Sequence, residues 1–430
     1  MFRIFRESDQ ISMTQFNPGS PLFRADPYPV YHRLRARTPI HYRHEQGDWI
    51  LTRHADIVAL LKDERIDPRH GVKQARVKCR QDPSDRRQEP SDSITHRFLR
   101  LREESQRLRS HWIITANPPA HTRLRKALGS SFTQGKIRAL EPHIQTIADG
   151  LIHKALSSGS LDIIGAFASP LIVDAISTVL GVPLEDRERL ALLAYDLSIS
   201  IDLDAPRTTS ERGRFALAGL TRYFGDLITR LRRDNAKPQD NLIGAMIRAH
   251  EQGELSEEEL LANSVFLFFT GQGAPQHIIG NGMLALLRHP EQMRLLQEDP
   301  TRIETAIDEC LRYDCPGQYI VRRALADIEI GGKTIQRGQR VVFVIGAANR
   351  DHAEFPEPDR FDICRSPNRY LTFGHGMRYC MGAHLARSVA RIGVGTLVRR
   401  LPRIALRNES LEWEPSYRTH GLKALPVTFR

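Results

Sequence analysis

Cys380 stands in the run Phe373-Gly374-His375-Gly376-Met377-Arg378-Tyr379-Cys380-Met381-Gly382, among three glycines, with an aromatic residue seven positions before it and an arginine two before it. A thiolate that binds a metal is deprotonated, and it needs cations or backbone N–H donors close by to hold its charge. Glycines let the main chain wrap close to the sulfur and take backbone angles that other residues avoid. The next residues, Ala383-His384-Leu385-Ala386-Arg387, read as a helix, whose N-terminus adds a partial positive charge beside the sulfur. Cys380 is therefore a candidate metal ligand, set against the ordinary fate of a free cysteine as a small buried apolar group. Far upstream, Asn117-Pro118-Pro119-Ala120-His121-Thr122-Arg123-Leu124-Arg125 carries a second set of groups. His121 and Arg125 are four apart and share one helical face.

In full, Phe-Gly-x-Gly-x-Arg-x-Cys-x-Gly resembles the haem-ligand loop of the cytochrome P-450 monooxygenases. The Pro-Pro-x-His-x-Arg-x-Arg start is similar to the same family's propionate-binding helix. The resemblance covers essentially the whole chain, most weakly from His70 to Arg109 and around Asp202. It implies a mainly α protein with small β-sheets, one large domain over residues 1–430 around a buried haem b. The small β region falls near 40–55 and 320–345, the helical core at 115–315 and the haem-ligand loop at 370–390. Cys380 is then the metal ligand, a thiolate that pushes electron density onto iron and favours O–O cleavage. Phe373 packs beside it, Gly382 belongs to the same loop, and His121, Arg125, Arg322 and Arg378 hold the haem propionates. Glu309-Cys310-Leu311-Arg312, with Arg360 in Pro358-Asp359-Arg360-Phe361-Asp362, resembles the family's structural Glu-Arg-Arg triad.

One stretch departs from the family. Phe269-Thr270-Gly271-Gln272-Gly273-Ala274-Pro275-Gln276 aligns with the helix that crosses the distal haem face, through Ile279-Gly280-Asn281-Gly282 and Leu287-Arg288-His289-Pro290. Most members carry an acid and an alcohol there that relay protons to iron-bound dioxygen. Here Gly273 stands in the acid position and Ala274 in the alcohol position, and neither side chain moves a proton. Pro275 removes a helical N–H and is expected to kink the helix. Three accounts follow: a substrate hydroxyl or carboxyl supplies the proton path, Thr270 or Gln276 substitutes, or a peroxo anion attacks a substrate carbonyl. The catalytic candidates are thus Thr270, Gly273, Ala274 and Gln276.

The elements that position these groups are legible only in outline. Asp26 to Arg35 and His54 to Leu61 read as helices, and Asp48 to Thr52 as a strand. Glu141 to Leu156, with Pro142 in its opening turn, and Arg214 to Arg232 show helical spacing. Arg322 to Val344 reads as paired strands about Gly331-Gly332. His70 to Arg109 is very polar, a mobile surface segment or a lid over the pocket, and Asp202-Leu203-Asp204-Ala205-Pro206 is a loop.

The five cysteines, Cys79, Cys310, Cys315, Cys364 and Cys380, form no C-x-x-C pair, which argues against a disulfide framework and a zinc site. No apolar run reaches the length of a signal peptide or a membrane span, so a cytoplasmic protein without a membrane anchor is expected. The net charge of +11 is spread along the chain and interleaves poorly with aromatics, which argues against a nucleic-acid partner. No flavin or nucleotide-binding domain is fused, so the resemblance implies electrons from NAD(P)H through ferredoxin reductase and ferredoxin. A basic face with Arg123 and Lys126 would steer that acidic partner. The expected substrate is small, hydrophobic and biosynthetic, such as a gibberellin-type diterpenoid. The alternatives are a peroxide-driven peroxygenase and a non-catalytic haem or ligand-binding protein.

Overall fold

The computed structural model describes residues 16–68, 94–202, 207–233, 240–408 and 410–429. Its longer helices are α1 Tyr28–Arg37, α2 His54–Leu61, α3 Ile94–Ser110, α4 Ala120–Gly129, α5 Gln134–Leu156, α6 Ser169–Leu180 and α7 Arg187–Ile199. They continue with α8 Arg207–Arg233, α9 Leu242–Glu251, α10 Glu257–Thr270, α11 Gly273–Arg288, α12 Pro290–Glu298, α13 Ile303–Tyr313 and α14 Ala383–Arg400. Local chemistry sets several of the ends. Ser256 and Glu259 form a reciprocal capping box at the start of α10, which satisfies two backbone donors that a helix leaves orphaned. Asn241 caps α9. At the end of α6, Gly181 takes the left-handed conformation (φ 85°) that residues with a Cβ avoid.

The strands are short: β1 Ile40–Arg43, β2 Asp48–Leu51, β3 Ile66–Asp67, β4 Ser160–Asp162, β5 Tyr319–Ala324, β6 Ile328–Ile330, β7 Lys333–Ile335, β8 Arg340–Val344, β9 Ala405–Leu406 and β10 Pro426–Thr428. One sheet has the order β1-β2-β8-β5-β3, with β2 and β8 parallel and its other pairs antiparallel. Its strands pack on α2 through Ile57, Leu60, Val341 and Phe343. The helices bury a continuous apolar core running from Trp112 to Val427. Within it α14 lies along α5, and α11 packs against both α13 and α14. No helix among the described residues is long and apolar enough to cross a membrane.

Three expectations are corrected. Helix α5 opens at Gln134, with Thr133 as its cap, so Pro142 lies inside the helix and not in its first turn. Ile137, Ile144 and Ala148 bury that helix on both sides of the proline, and packing holds what the lost N–H would weaken. Residues 94–109 are helical, and the remainder of the polar segment lies outside the described residues. Instead of a kink at Pro275, the distal helix is divided into α10 and α11, with Gly271 and Gln272 between them. Pro275 sits in the first turn of α11, where its missing N–H would have had no intrahelical partner.

Candidate active site

The cysteine loop is built from its glycines and one backbone bond. Gly374 and Gly376 have φ of 74° and 70°, the region open to glycine at little cost. The Cys380 N–H donates to the Phe373 carbonyl at 2.8 Å and closes the loop. Phe373 is buried beneath it, edge-on to Tyr379. Cys380 retains accessible surface, yet burial pushes its thiol pKa up, while the Gly382 backbone N–H and the charge of Arg125 pull it down.

The approach to this loop is held by a buried ion-pair network. Both Glu309 oxygens accept from Arg312 at 2.8 Å, and both side chains are wholly buried. Arg312 donates onward to the carbonyls of Asn349, Pro358 and Arg360 at 3.0, 2.7 and 3.1 Å. The third member is Arg365, 3.2 Å from Glu309 and 9% exposed. Arg360 is not part of it: its side chain is 59% exposed and pairs with Glu357. The correction has a physical cause, since only a buried guanidinium compensates a buried carboxylate. Asn349 then accepts from the Leu371 N–H at 2.7 Å, which delivers the chain to Phe373 in register.

Four cationic side chains gather beside the loop. One terminal nitrogen of Arg378, Nη2, donates to the Ala116 carbonyl and to Asn117 Oδ1 at 2.7 and 2.8 Å. Its other terminal nitrogen, Nη1, is buried with no partner. Arg322 is buried, and its Nη1 reaches only the Val321 carbonyl. Desolvation and then the charge of Arg378 lower its pKa to about 9, against a raising influence from Asp67. His121 lies 4% exposed on α4, and burial, then Arg378 and Arg125, lower it to about 4. Arg125 is felt at both His121 and Cys380. A cavity of about 330 Å³ opens here between Leu61, Asn117, Ile320, Arg322, His375 and Arg378. The orphaned donor of Arg378 and mutually repelling cations at and beside this cavity fit an anion with several oxygens, and a thiol beyond them fits its metal.

In the distal helix, the Thr270 hydroxyl donates to the Phe266 carbonyl at 2.7 Å, one turn back in α10. Gly271 lies so close to Ile176 that a Cβ would approach within 2.5 Å, and a Cβ on Gly273 would come 3.1 Å from Ser198 Oγ. Ala274 offers no polar atom. Gln276 Nε2 lies 3.2 Å from His277 Nε2. The structure therefore brings Cys380, Phe373, Gly382, Arg378, Arg322, His121 and Arg125 to one region, and it leaves the Thr270 and Gln276 side chains engaged with protein partners.

Two residues escaped the sequence reading. Arg365 carried no signal beyond its place after the Asp-Arg-Phe run. His277 is 2% exposed, with Nδ1 buried and unpartnered, and burial, then His420, lower its pKa to about 3. Its ring fills the space where a side chain on Gly421 would stand, a contact no local pattern announces. Conversely, Arg123 is not a free surface cation: it forms a bidentate pair with Glu259 at 2.6 and 2.8 Å.

A family model described as Cytochrome P450 matches residues 85–405. The chain is 33% identical to "Biotin biosynthesis cytochrome P450" of Bacillus subtilis (strain 168), across 96% of this chain and 98% of that one. It is 36% identical to "Vitamin D(3) 25-hydroxylase" of Pseudonocardia autotrophica, across 95% of each chain. Among solved structures, a myxobacterial cytochrome P450, CYP267B1, in complex with myristic acid superposes with a TM-score of 0.83 at 35% identity, across 96% of this chain and 98% of that one.

Proposed function

The chain belongs to the cytochrome P450 family of haem b monooxygenases, and on that premise we propose that Cys380 would bind the haem iron and that the oxidised substrate is a small hydrophobic biosynthetic molecule. One observation carries the site assignment: Arg378 Nη1, buried and unpartnered, stands among Arg322, His121 and Arg125 beside the cysteine loop. We assign these four side chains to the haem propionates. Haem, once held there, supplies dioxygen activation, and a cysteine thiolate favours O–O cleavage. The Gly382 N–H and Arg125 favour the deprotonated sulfur that ligation requires. Phe373 shields the sulfur from below.

The distal side chains define what the protein does not itself provide. Gly273 and Ala274 carry no transferable proton, and the Thr270 hydroxyl is spent on Phe266. Gln276 is an amide bound to His277 and has no titratable proton. Proton delivery therefore falls to the substrate, whose own hydroxyl or carboxyl completes the path. A gibberellin-type diterpenoid carrying such a group suits this demand, and relatives named for vitamin D and bound to myristic acid bracket its size and apolarity. Electrons come from ferredoxin and its reductase, with Lys126, exposed and 4.0 Å from Glu254, on the docking face, in a cytoplasmic setting.

The test is the spectrum of the dithionite-reduced, haem-loaded protein under carbon monoxide. A strongly red-shifted Soret band that is lost in Cys380→His supports the assignment. A band typical of histidine-ligated haem in the unmodified protein overturns it.

A further inference from the structure

A cavity of about 430 Å³ lies between the last turns of α5, strand β4 and strand β10, and it shares no residue with the cysteine loop or with the cavity beside Arg322 and Arg378. Much of its lining is apolar. Leu151 and Ala155 are four apart on one face of α5. Leu161 of β4 faces Val427 of β10 as its direct antiparallel partner, and both line the cavity. A further wall is the turn Ile164–Ala168, which contributes Ala166. In that turn the Ala168 N–H donates to the Ile163 carbonyl, five residues back, at 2.7 Å, a widened geometry that is frequent at functional sites. Ile164 fills the notch at Gly280 of α11, where any Cβ would collide with it, and Phe167 is wholly buried. Sheet pairing and packing thus hold the walls apart before any ligand arrives, and the volume falls in the range of small-molecule sites, about 300–1,000 Å³.

The ionisable groups of the lining are Lys154, Asp162 and Arg407. Asp162 is committed to the main chain. Its Oδ1 accepts from the Ile164 and Leu425 N–H groups at 3.1 and 2.7 Å, and its Oδ2 accepts from the Gly165 N–H at 3.0 Å. The Ser158 hydroxyl is likewise committed, donating to the Ala155 and Ser160 carbonyls at 2.8 and 2.6 Å. Among the described residues no carboxylate pairs with the side chain of Lys154 or Arg407. Two cations against one carboxylate leave the cavity with a single excess positive charge above an apolar floor.

We infer that this cavity is a second ligand site, for a small amphipathic monocarboxylate whose head pairs with Lys154 and Arg407 and whose hydrocarbon chain covers Leu151, Ala155 and Leu161. One carboxylate matches the excess charge, and its chain takes the apolar walls out of water. An inorganic anion leaves those walls wet, and a neutral apolar molecule leaves the cations without a partner. The site stands on residues that take no part in holding haem.

The experiment is titration of the full haem-loaded chain with decanoate and with decanol, in which heat reports all binding and the Soret band reports binding in the haem cleft. Decanoate is expected to give a saturable heat that the Soret band does not follow. In that phase it is expected to bind about fivefold or more tightly than decanol, the scale of two partly solvated ion pairs. The double variant Lys154→Gln, Arg407→Gln is expected to bring the ratio close to one. Ala166→Trp, which fills the cavity, is expected to remove the heat-only phase for both probes. All three positions are exposed, so both variants are expected to melt with the parent and to keep its Soret response, which separates lost binding from lost folding. Heat that tracks the Soret band throughout, equal binding of acid and alcohol, a ratio unchanged in the double variant, or silence from decanoate overturns the inference. A heat-only phase retained in a protein that lacks the red-shifted carbon monoxide band sinks the haem-thiolate reading alone.

Discussion

Gln276 Nε2 lies 3.2 Å from His277 Nε2, so the amide donates and the imidazole carries its own proton on Nδ1, which is buried without an acceptor. A neutral histidine is thereby built into the first turns of α11, close after Gly273 and Ala274.

Acid sensitivity follows from the sign of that shift. His277 falls from 6.5 to about 3 in the folded protein, so the unfolded chain binds the extra proton throughout that window. Stability is present above 6.5 and is lost as the pH falls, by about 1.4 kcal/mol per unit for a single such group. Melting temperature measured from pH 7 to 4 is expected to fall less steeply in His277→Gln than in the parent. Parallel curves would remove His277 from the account.

Haem loading is expected to change the titration of His121. Without propionates, burial and two arginines hold it near 4; two carboxylates beside it raise it again. Arg378→Gln removes the orphaned donor and is expected to weaken haem retention by about 1–3 kcal/mol. Transfer of haem to apomyoglobin measures that loss, and an unchanged transfer rate contradicts the propionate assignment.

The two arginines flanking Asp362 are expected to differ sharply. Arg365→Ala leaves the wholly buried Glu309 short of a partner, a loss of about 3–5 kcal/mol for a buried pair. Arg360→Ala touches an exposed pair with Glu357 and should stay within about 0.5 kcal/mol. Denaturant midpoints of the two variants decide between them.

Thr270→Val is expected to change turnover by less than about threefold, because the hydroxyl already donates to the Phe266 carbonyl. A loss of about a hundredfold, the scale of a removed proton donor, would return Thr270 to the relay. Its measure is product formed per NAD(P)H consumed.

The sequence by itself determined the family, and it singled out the cysteine and the cations that we assign to the haem. Those signals are short-range: glycines that must bend a loop around Cys380, a histidine and an arginine one helical turn apart, a Glu-x-x-Arg pair on one face of α13. It also exposed the missing acid and alcohol, since Gly273 and Ala274 lack the atoms in any fold. What tertiary structure decided were choices between equivalent residues. Arg365 and not Arg360 became the partner of Glu309, because only one of them is buried with it. Arg123 was taken by Glu259 from an element far along the chain. Pro275 became a first-turn residue because Gly271 and Gln272 broke the helix before it. The enclosure of His277 by Gly421 depends on long-range packing, and burial cannot be read from spacing alone.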